Sequence, residues 1–132
     1  PKYLKRMVNA FHGRGAKVVL HSDGNINAIL EEIVSLGFDG LHPLQSRAGM
    51  DAGKVRKIYG DKITIMGCID EQYLLTFGNP KEVYQEVRRL IDFTSNPRGG
   101  LIIGPEHGIQ PDVPIENIEA MVKAVMGRPV ES

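Results

Sequence analysis

Residues 17–42 read KVVLHSDGNINAILEEIVSLGFDGLH and contain a complete strand–helix–strand pattern. Residues 17–20 form a short apolar run with β-branched side chains, which is typical of a buried strand. Residues 26–34 place their apolar side chains at helical spacing, and Gly37 is a natural residue to end that helix. Residues 38–41 predict a second, weaker strand. This order predicts a parallel βαβ unit joined by a right-handed crossover.

The same alternation continues on both sides of this stretch. Residues 2–13 predict a leading helix, and residues 51–59 predict a short helix that ends at Gly60. Residues 63–66 and residues 101–103 predict two further strands, each bounded by glycine on at least one side. Helices therefore alternate with strands along the whole chain, which favours a parallel sheet.

Two helices complete the pattern. Asn79 suits the N-cap of the first, and Glu82 stands where a capping box places its acid. The predicted buried stripe of that helix is Val83, Val87, Leu90 and Ile91. Pro114 opens the last helix, which should end at Gly127. The side chains predicted to face inward from it are Ile115, Ile118, Val122 and Val125.

The fold class predicted by this order is α/β, with four parallel βα units. A complete (β/α)8 TIM barrel needs eight strands and roughly 250 residues. We therefore expect residues 1–132 to form half of such a barrel as one partial domain. A four-stranded flavodoxin-like sheet is the rival fold, although no phosphate-binding loop follows the first predicted strand.

The composition excludes several classes of protein. Sixteen Lys and Arg balance sixteen Asp and Glu, so the chain offers no net charge for binding nucleic acid or anionic lipid. Cys68 is the only cysteine, which excludes an internal disulfide and favours a reducing, cytoplasmic location. There is no signal peptide and no apolar run of the ~20 residues that span a bilayer. Because the chain starts at Pro1 without an initiator Met, we expect a fragment or a processed product.

Candidate functional residues follow the predicted strands. In parallel α/β folds, functional side chains collect at the carboxyl ends of strands. The four segments at these positions are residues 21–25 (HSDGN), 42–43 (HP), 67–70 (GCID) and 104–108 (GPEHG). They hold three of the four histidines of the chain, and the fourth, His12, is expected on the surface of the leading helix.

His21 and Asp23 are two residues apart on an extended segment, so their side chains project to the same side. Together they suit a divalent metal, with His107 or His42 as a third ligand. Three ligands and an open position are typical of catalytic zinc, and two histidines with one carboxylate suit iron(II). The alternative is that Asp23 caps a helix beginning near Asn25, while His21 only hydrogen-bonds to Asp23.

Two residues at the end of the third predicted strand have two interpretations each. Cys68 is either a thiolate ligand or a small apolar residue that packs in the core. Asp70 is either an acid, a base or a substrate anchor, or it caps the turn that follows it.

At these strand ends the sequence resembles the uroporphyrinogen decarboxylase superfamily. The matching stretches are residues 21–25, 67–70, 78–83, 99–102 and, most distinctive, 107–117 (HGIQPDVPIEN). The resemblance covers nearly the whole chain in order, and it implies the C-terminal half of a TIM barrel whose N-terminal half is absent. The superfamily has two branches. One contains cofactor-free decarboxylases that convert uroporphyrinogen III to coproporphyrinogen III, and the other contains cobalamin-dependent methyltransferases in which zinc activates a thiol.

The resemblance also implies roles for individual residues. The methyltransferases carry a His-x-Cys pair and a later Cys, where this chain has His21-x-Asp23 and His107. This implies a harder metal site, for zinc or another divalent metal, at those three residues, with a corrinoid supplied by a partner protein. The decarboxylases keep a histidine at the position of His107 and need no cofactor. Catalytic roles are expected for His107 and Asp70. Substrate-binding roles are expected for Asn25, His42 and Gln45.

Three functions are therefore held together. The first is metal-assisted methyl transfer from a corrinoid or methylated donor to a thiol or similar acceptor. The second is cofactor-free decarboxylation of a porphyrinogen, a tetrapyrrole substrate, and the third is an inactive structural fragment. We expect the chain alone to be inactive, and to pair with a second copy or with the missing N-terminal half.

Overall fold

The four strands form one parallel sheet in the order β1-β2-β3-β4. The computed structural model describes residues 1–94 and 99–129. The strands are β1 (Val19–His21), β2 (Gly40–His42), β3 (Thr64–Ile69) and β4 (Leu101–Pro105). In a barrel, neighbouring strands follow one another in the chain, as they do here. In a flavodoxin-like sheet the order is 2-1-3-4-5, so the first strand lies between the second and the third. The predicted four parallel βα units are confirmed, and the flavodoxin-like alternative does not fit.

Five helices alternate with the strands in the described part of the chain. They are α1 (Lys2–His12), α2 (Leu30–Leu36), α3 (Ala52–Tyr59), α4 (Pro80–Thr94) and α5 (Ile115–Val125). Shorter helical turns lie at Asn27–Ile29, Ser46–Ala48 and Glu71–Leu75, each in a loop that follows a strand. None of the described helices combines the length and the apolar character needed to cross a membrane.

The helix predicted over residues 26–34 begins later than expected. Asn25 Oδ1 accepts hydrogen bonds from the main-chain N of Asn27 at 3.0 Å and from its Nδ2 at 2.8 Å, which folds the chain into a turn first. The regular helix α2 starts at Leu30 and ends at Gly37, whose φ of 90° is the left-handed conformation predicted there. The interpretation of Asp23 as a helix cap is therefore wrong, because Asn25 shapes this turn.

Helix α3 ends at Gly60 as predicted, and the predicted N-cap of α4 also agrees with the structure. Asp51 Oδ1 accepts from the N of Lys54 at 2.8 Å at the start of α3. At the start of α4, Glu82 N donates to Asn79 Oδ1 at 3.0 Å and Asn79 N donates to Glu82 Oε2 at 2.9 Å, which is the predicted capping box. The predicted stripe of α4 is also correct: Val83, Val87 and Leu90 are buried and Ile91 is partly buried.

The predicted inward face of α5 is wrong. Ile115, Val122 and Val125 are exposed, and Ile118 is only partly buried. The buried residues of this helix are Asn117, Ala120, Met121 and Ala124. Helix α5 buries this other face because it packs closely against α4, where Arg88 Nη1 donates to the carbonyl of Ala124 at 3.3 Å. Small side chains permit this approach, and the larger apolar ones are left on the outer face.

Within the described residues, helices cover one face of the sheet and leave the other open. Leu41 and Ile65 are neighbours across β2 and β3, and both are almost completely buried. On the opposite face, Val19 is 42% exposed and Ile102 is 53% exposed. The leading helix α1 packs beside α2 and leaves that second face open. An open inner face is what part of a barrel has when the opposite wall is absent.

Asp39 joins α1 to the first two strands at their amino ends, opposite to the carboxyl ends that carry His21 and His42. Its carboxylate accepts from the N of Val18 at 2.8 Å, from His12 Nε2 at 2.8 Å and from Lys17 Nζ at 2.9 Å. Burial alone would raise the pKa of Asp39, but these bonds outweigh it and lower the pKa to about 2. His12 is exposed, as predicted, and it also pairs with Asp39.

Candidate active site at the strand ends

The first two strands bring two histidines side by side. His21 and His42 are register partners at the ends of β1 and β2, and their Nδ1 atoms lie 2.9 Å apart, so that one ring donates to the other. The pKa of His42 is lowered, first by burial and then by the nearby imidazoles of His21 and His107. His42 therefore favours the neutral form, which can accept a proton from His21 or offer a lone pair.

Asp23 lies at the centre of a cluster that it forms with His21, His42 and His107. Its Oδ1 accepts from His107 Nε2 at 2.9 Å and lies 3.1 Å from His21 Nε2. The hydrogen bond from His107 is the largest cause that lowers the pKa of Asp23, and the charge of His21 adds to it. The structure thus brings His21, Asp23 and His107 to one point, as the sequence analysis expects. Their role as metal ligands stays a prediction.

Glu71 completes the surroundings of His107, and the sequence analysis missed it. Its side chain is only 4% exposed. One carboxylate oxygen lies 2.8 Å from His107 Nδ1, and the other accepts from the main-chain N of His107 at 3.2 Å. Hydrogen bonds to Asp23 first, and to Glu71 second, raise the pKa of His107. In this arrangement both ring nitrogens donate to carboxylates, so the imidazolium form is favoured.

Glu106 is a second buried carboxyl group that the sequence analysis missed. It is 1% exposed, and its Oε1 accepts from the main-chain N of Ser46, in the loop after β2, at 3.2 Å. Burial raises the pKa of Glu106, and the charges of Asp70 and Glu71 add to the rise. Glu71, Glu106 and His107 also offer ligand atoms that all lie within 4.8 Å of one another. The only sequence signal for these two acids was their position next to Asp70 and His107.

The two residues with open interpretations on β3 are now placed. Asp70 Oδ1 accepts from the N of Tyr73 at 3.0 Å and so caps the helical turn Glu71–Leu75. Its proposed catalytic role stays a prediction beside this structural one. Cys68 is buried, and burial raises the pKa of its thiol to about 12. Burial therefore favours the protonated thiol, and Cys68 packs with the apolar core, which supports its interpretation as a small core residue over that of a thiolate ligand.

The predicted substrate-binding residues lie at the end of β2 or in the loops that follow β1 and β2. His42 contacts it through His21, whereas the amide oxygen of Asn25 is used by the turn before α2. Gln45 is half-buried and precedes the turn Ser46–Ala48, with its carbonyl accepting from the N of Ala48 at 3.0 Å. Contact of these three residues with a substrate stays a prediction.

The chemistry of the donor atoms fits a divalent metal. His21, Asp23 and His107 present two imidazole nitrogens around one carboxylate oxygen, and each ring is within 3.1 Å of that oxygen. Imidazole suits zinc, iron and copper, and carboxylate suits harder ions such as manganese and magnesium. The set contains no thiolate, so it favours a borderline or hard ion over a thiolate-rich zinc site.

The fold and the cluster together define the class of protein. It is an α/β protein whose sheet is part of a barrel, with a histidine–carboxylate cluster at the carboxyl ends of the strands. The model of the uroporphyrinogen decarboxylase (URO-D) family matches residues 1–127. The chain therefore belongs to the uroporphyrinogen decarboxylase family.

Relatives in this family carry two different names. Over 107 residues the chain is 34% identical to the methylcobamide:CoM methyltransferase MtaA of Methanosarcina barkeri, covering 80% of this chain and 29% of that protein. Over 124 residues it is 30% identical to the uroporphyrinogen decarboxylase of Dichelobacter nodosus, covering 93% of this chain and 33% of that protein. The chain thus spans about 30% of the length of these relatives.

A solved structure supports the fold. The chain is similar to a methyltransferase from Methanosarcina mazei, with a TM-score of 0.73 and 26% sequence identity. The similarity covers 94% of this chain and 34% of that structure. The predicted superfamily and the predicted partial barrel are both confirmed. The comparisons include both branches of the family.

Proposed function

We propose that this chain is part of a metal-assisted methyltransferase, which moves a methyl group from a corrinoid or methylated donor to a thiol or similar acceptor. The observation that carries the proposal is the convergence of His21 Nε2 and His107 Nε2 on Asp23 Oδ1, at 3.1 and 2.9 Å. A divalent cation at this point would supply Lewis-acid chemistry that lowers the pKa of the acceptor. The corrinoid would come from a partner protein.

Each residue of the cluster has a defined task in this proposal. Asp23 supplies the negative charge, and its lowered pKa keeps it ionised. His107 supplies a nitrogen ligand once the proton that it donates to Asp23 is displaced, and His21 supplies a second nitrogen 3.1 Å from the same oxygen. His42, whose pKa is lowered, is the acceptor that holds the second nitrogen of His21 in place at 2.9 Å.

The charge of the strand-end loops supports a cation. Residues 22–29, 43–51, 70–79 and 105–114 contain six acidic residues and a single Arg or Lys, which is Arg47. The acids are Asp23, Asp51, Asp70, Glu71, Glu106 and Asp112. The guanidinium of Arg47 lies 3.6 Å from the centre of the Tyr73 ring. Such loops attract a metal ion, whereas a substrate rich in carboxylates would need cationic partners from elsewhere.

Decarboxylation of a porphyrinogen is the second candidate, and one observation favours it. His107 lies between Asp23 and Glu71, and their hydrogen bonds raise its pKa, so that it favours the imidazolium form. An imidazolium can donate a proton to a substrate carbon, or hold a substrate carboxylate, without any metal. In this candidate the acids serve to keep His107 protonated.

Metal analysis of the full natural protein that contains this chain separates the two candidates. We expect stoichiometric zinc, iron or manganese in the wild type, and loss of that metal in Asp23→Asn and His107→Ala. Glu86→Gln is a matched control, because Glu86 pairs with Arg89 on the surface of α4. The same preparations are assayed for methyl transfer from methylcobalamin to a thiol, and for decarboxylation of uroporphyrinogen. A metal-free protein that decarboxylates uroporphyrinogen would refute the proposal in favour of the second candidate.

A further inference from the structure

Both carboxylate oxygens of Glu71 form hydrogen bonds with His107. One oxygen lies 2.8 Å from the Nδ1 of His107 and the other accepts from the main-chain N of His107 at 3.2 Å. Burying a carboxylate costs free energy unless hydrogen bonds compensate for it. Both of these bonds go to His107, which accounts for the burial of an acid that is only 4% exposed.

The element that carries Glu71 is itself anchored. Asp70 caps the turn Glu71–Leu75 through the N of Tyr73 at 3.0 Å. The hydroxyl of Thr76 donates to the carbonyl of Glu71 at 2.7 Å, and the N of Leu75 donates to the carbonyl of Asp70 at 3.0 Å. The carboxylate is therefore held on a short helical turn, and a fixed acceptor of this kind orients the ring that it binds.

We propose that Glu71 is the positioning residue of the site: it keeps a proton on Nδ1 of His107 and so directs Nε2 at Asp23. This inference rests on the proposed function in one respect, because it takes Nε2 of His107 as the nitrogen that would bind the metal. A histidine that binds a metal through one nitrogen commonly donates its other N–H to a carboxylate, which fixes the tautomer and the ring orientation. Glu71 meets that requirement from the side of the ring opposite to Asp23.

The first test measures cobalt(II) binding to the full natural protein by its visible absorption. Glu71→Met removes both acceptor oxygens and nearly keeps the length of the side chain. We expect it to weaken cobalt(II) binding by about 10–100-fold. Glu86→Met makes the same exchange on α4, where it removes only the ion pair with Arg89, and should leave the affinity unchanged. A folded Glu71→Met protein with wild-type affinity would overturn the proposal.

The second test needs no metal and reads the proton directly. Histidine labelled with 15N is observed by NMR at alkaline pH in Asp23→Asn, in which Nε2 has lost its charged partner and Glu71 remains. We expect the proton of His107 on Nδ1, and we expect Glu71→Met in the same background to move it to Nε2, the tautomer that free imidazole favours.

The two measurements keep the proposals separate. If the wild type binds no cobalt(II), the metal-assisted function fails, and the tautomer in Asp23→Asn still decides the role of Glu71. A proton found on Nε2 while Glu71 is present would overturn the positioning role. The Asp23→Asn measurement also remains decisive if Glu71→Met does not fold, because Asp23 is exposed and its replacement leaves the core unchanged.

Discussion

Asn117→Ala should destabilise the protein by an amount that the structure allows us to work out. Asn117 is 1% exposed, and its Nδ2 donates to the carbonyl of Leu75 at 2.9 Å and to the carbonyl of Gly78 at 2.8 Å. Alanine removes both bonds and leaves two carbonyl groups without this donor. A typical hydrogen bond contributes about 1 kcal/mol net, and an unsatisfied buried group costs about 1–3 kcal/mol. We therefore expect a loss of about 2–4 kcal/mol in the free energy of unfolding.

Asn27→Ala is the matched control for this prediction. Asn27 also donates two bonds through Nδ2, to Asn25 Oδ1 at 2.8 Å and to the carbonyl of Gly49 at 3.0 Å, but it is exposed. Water can replace these bonds, so its loss should cost about 0.5 kcal/mol. Urea unfolding of the full natural protein, followed by circular dichroism, gives both values. Equal effects of the two substitutions would refute the argument that burial, and not the number of bonds, sets the cost.

Four other predictions follow from the same structure. His107→Ala should abolish turnover in a protein that still folds, and a variant that is destabilised but keeps its turnover would make His107 structural. Because a bound proton competes at His107, divalent-metal affinity should fall roughly tenfold for each pH unit below its raised pKa, as a metal titration at several pH values would show. Asp39→Asn should cost about 1–2 kcal/mol at neutral pH, and this difference should disappear as acid unfolding is followed from about pH 4 down to the folded-state pKa of about 2. Residues 1–132 expressed alone should self-associate, because Val19 and Ile102 lie exposed on an uncovered sheet face, and light scattering that finds a stable monomer at micromolar concentration would contradict this.

Local signals in the sequence predict a helix well when it has a single apolar face or a clear capping motif. The stripe with Val83 and Val87 is predicted correctly because the aliphatic side chains of α4 lie on a single face, and the capping pair Asn79 and Glu82 is also present. Helix α5 has apolar side chains on two faces, so periodicity could not choose between them. Packing against α4 made the choice, in favour of the face that carries small residues.

The sequence predicts those site residues that lie at the carboxyl ends of predicted strands. His21, Asp23 and His107 are candidates because a parallel sheet brings its carboxyl ends together, and the structure places both histidines within 3.1 Å of Asp23 Oδ1. Glu71 and Glu106 were missed, because an acid in a loop is normally solvated. Only the tertiary structure shows that these two are buried, one against the ring of His107 and the other against the N of Ser46.

The charged cluster and the open sheet face differ in how much of the site this chain supplies. The carboxyl ends of all four strands, or the loops that follow them, contribute to the cluster, through His21 and Asp23, His42, Glu71, and finally Glu106 and His107. A cation would therefore find its nitrogen and oxygen ligands within this chain alone. The apolar face with Val19 and Ile102 has no cover in the described residues, and a barrel interior is filled by side chains from all of its strands. We therefore expect metal binding to survive changes in the rest of the longer protein, while substrate enclosure, and with it turnover, depends on the part that closes the barrel.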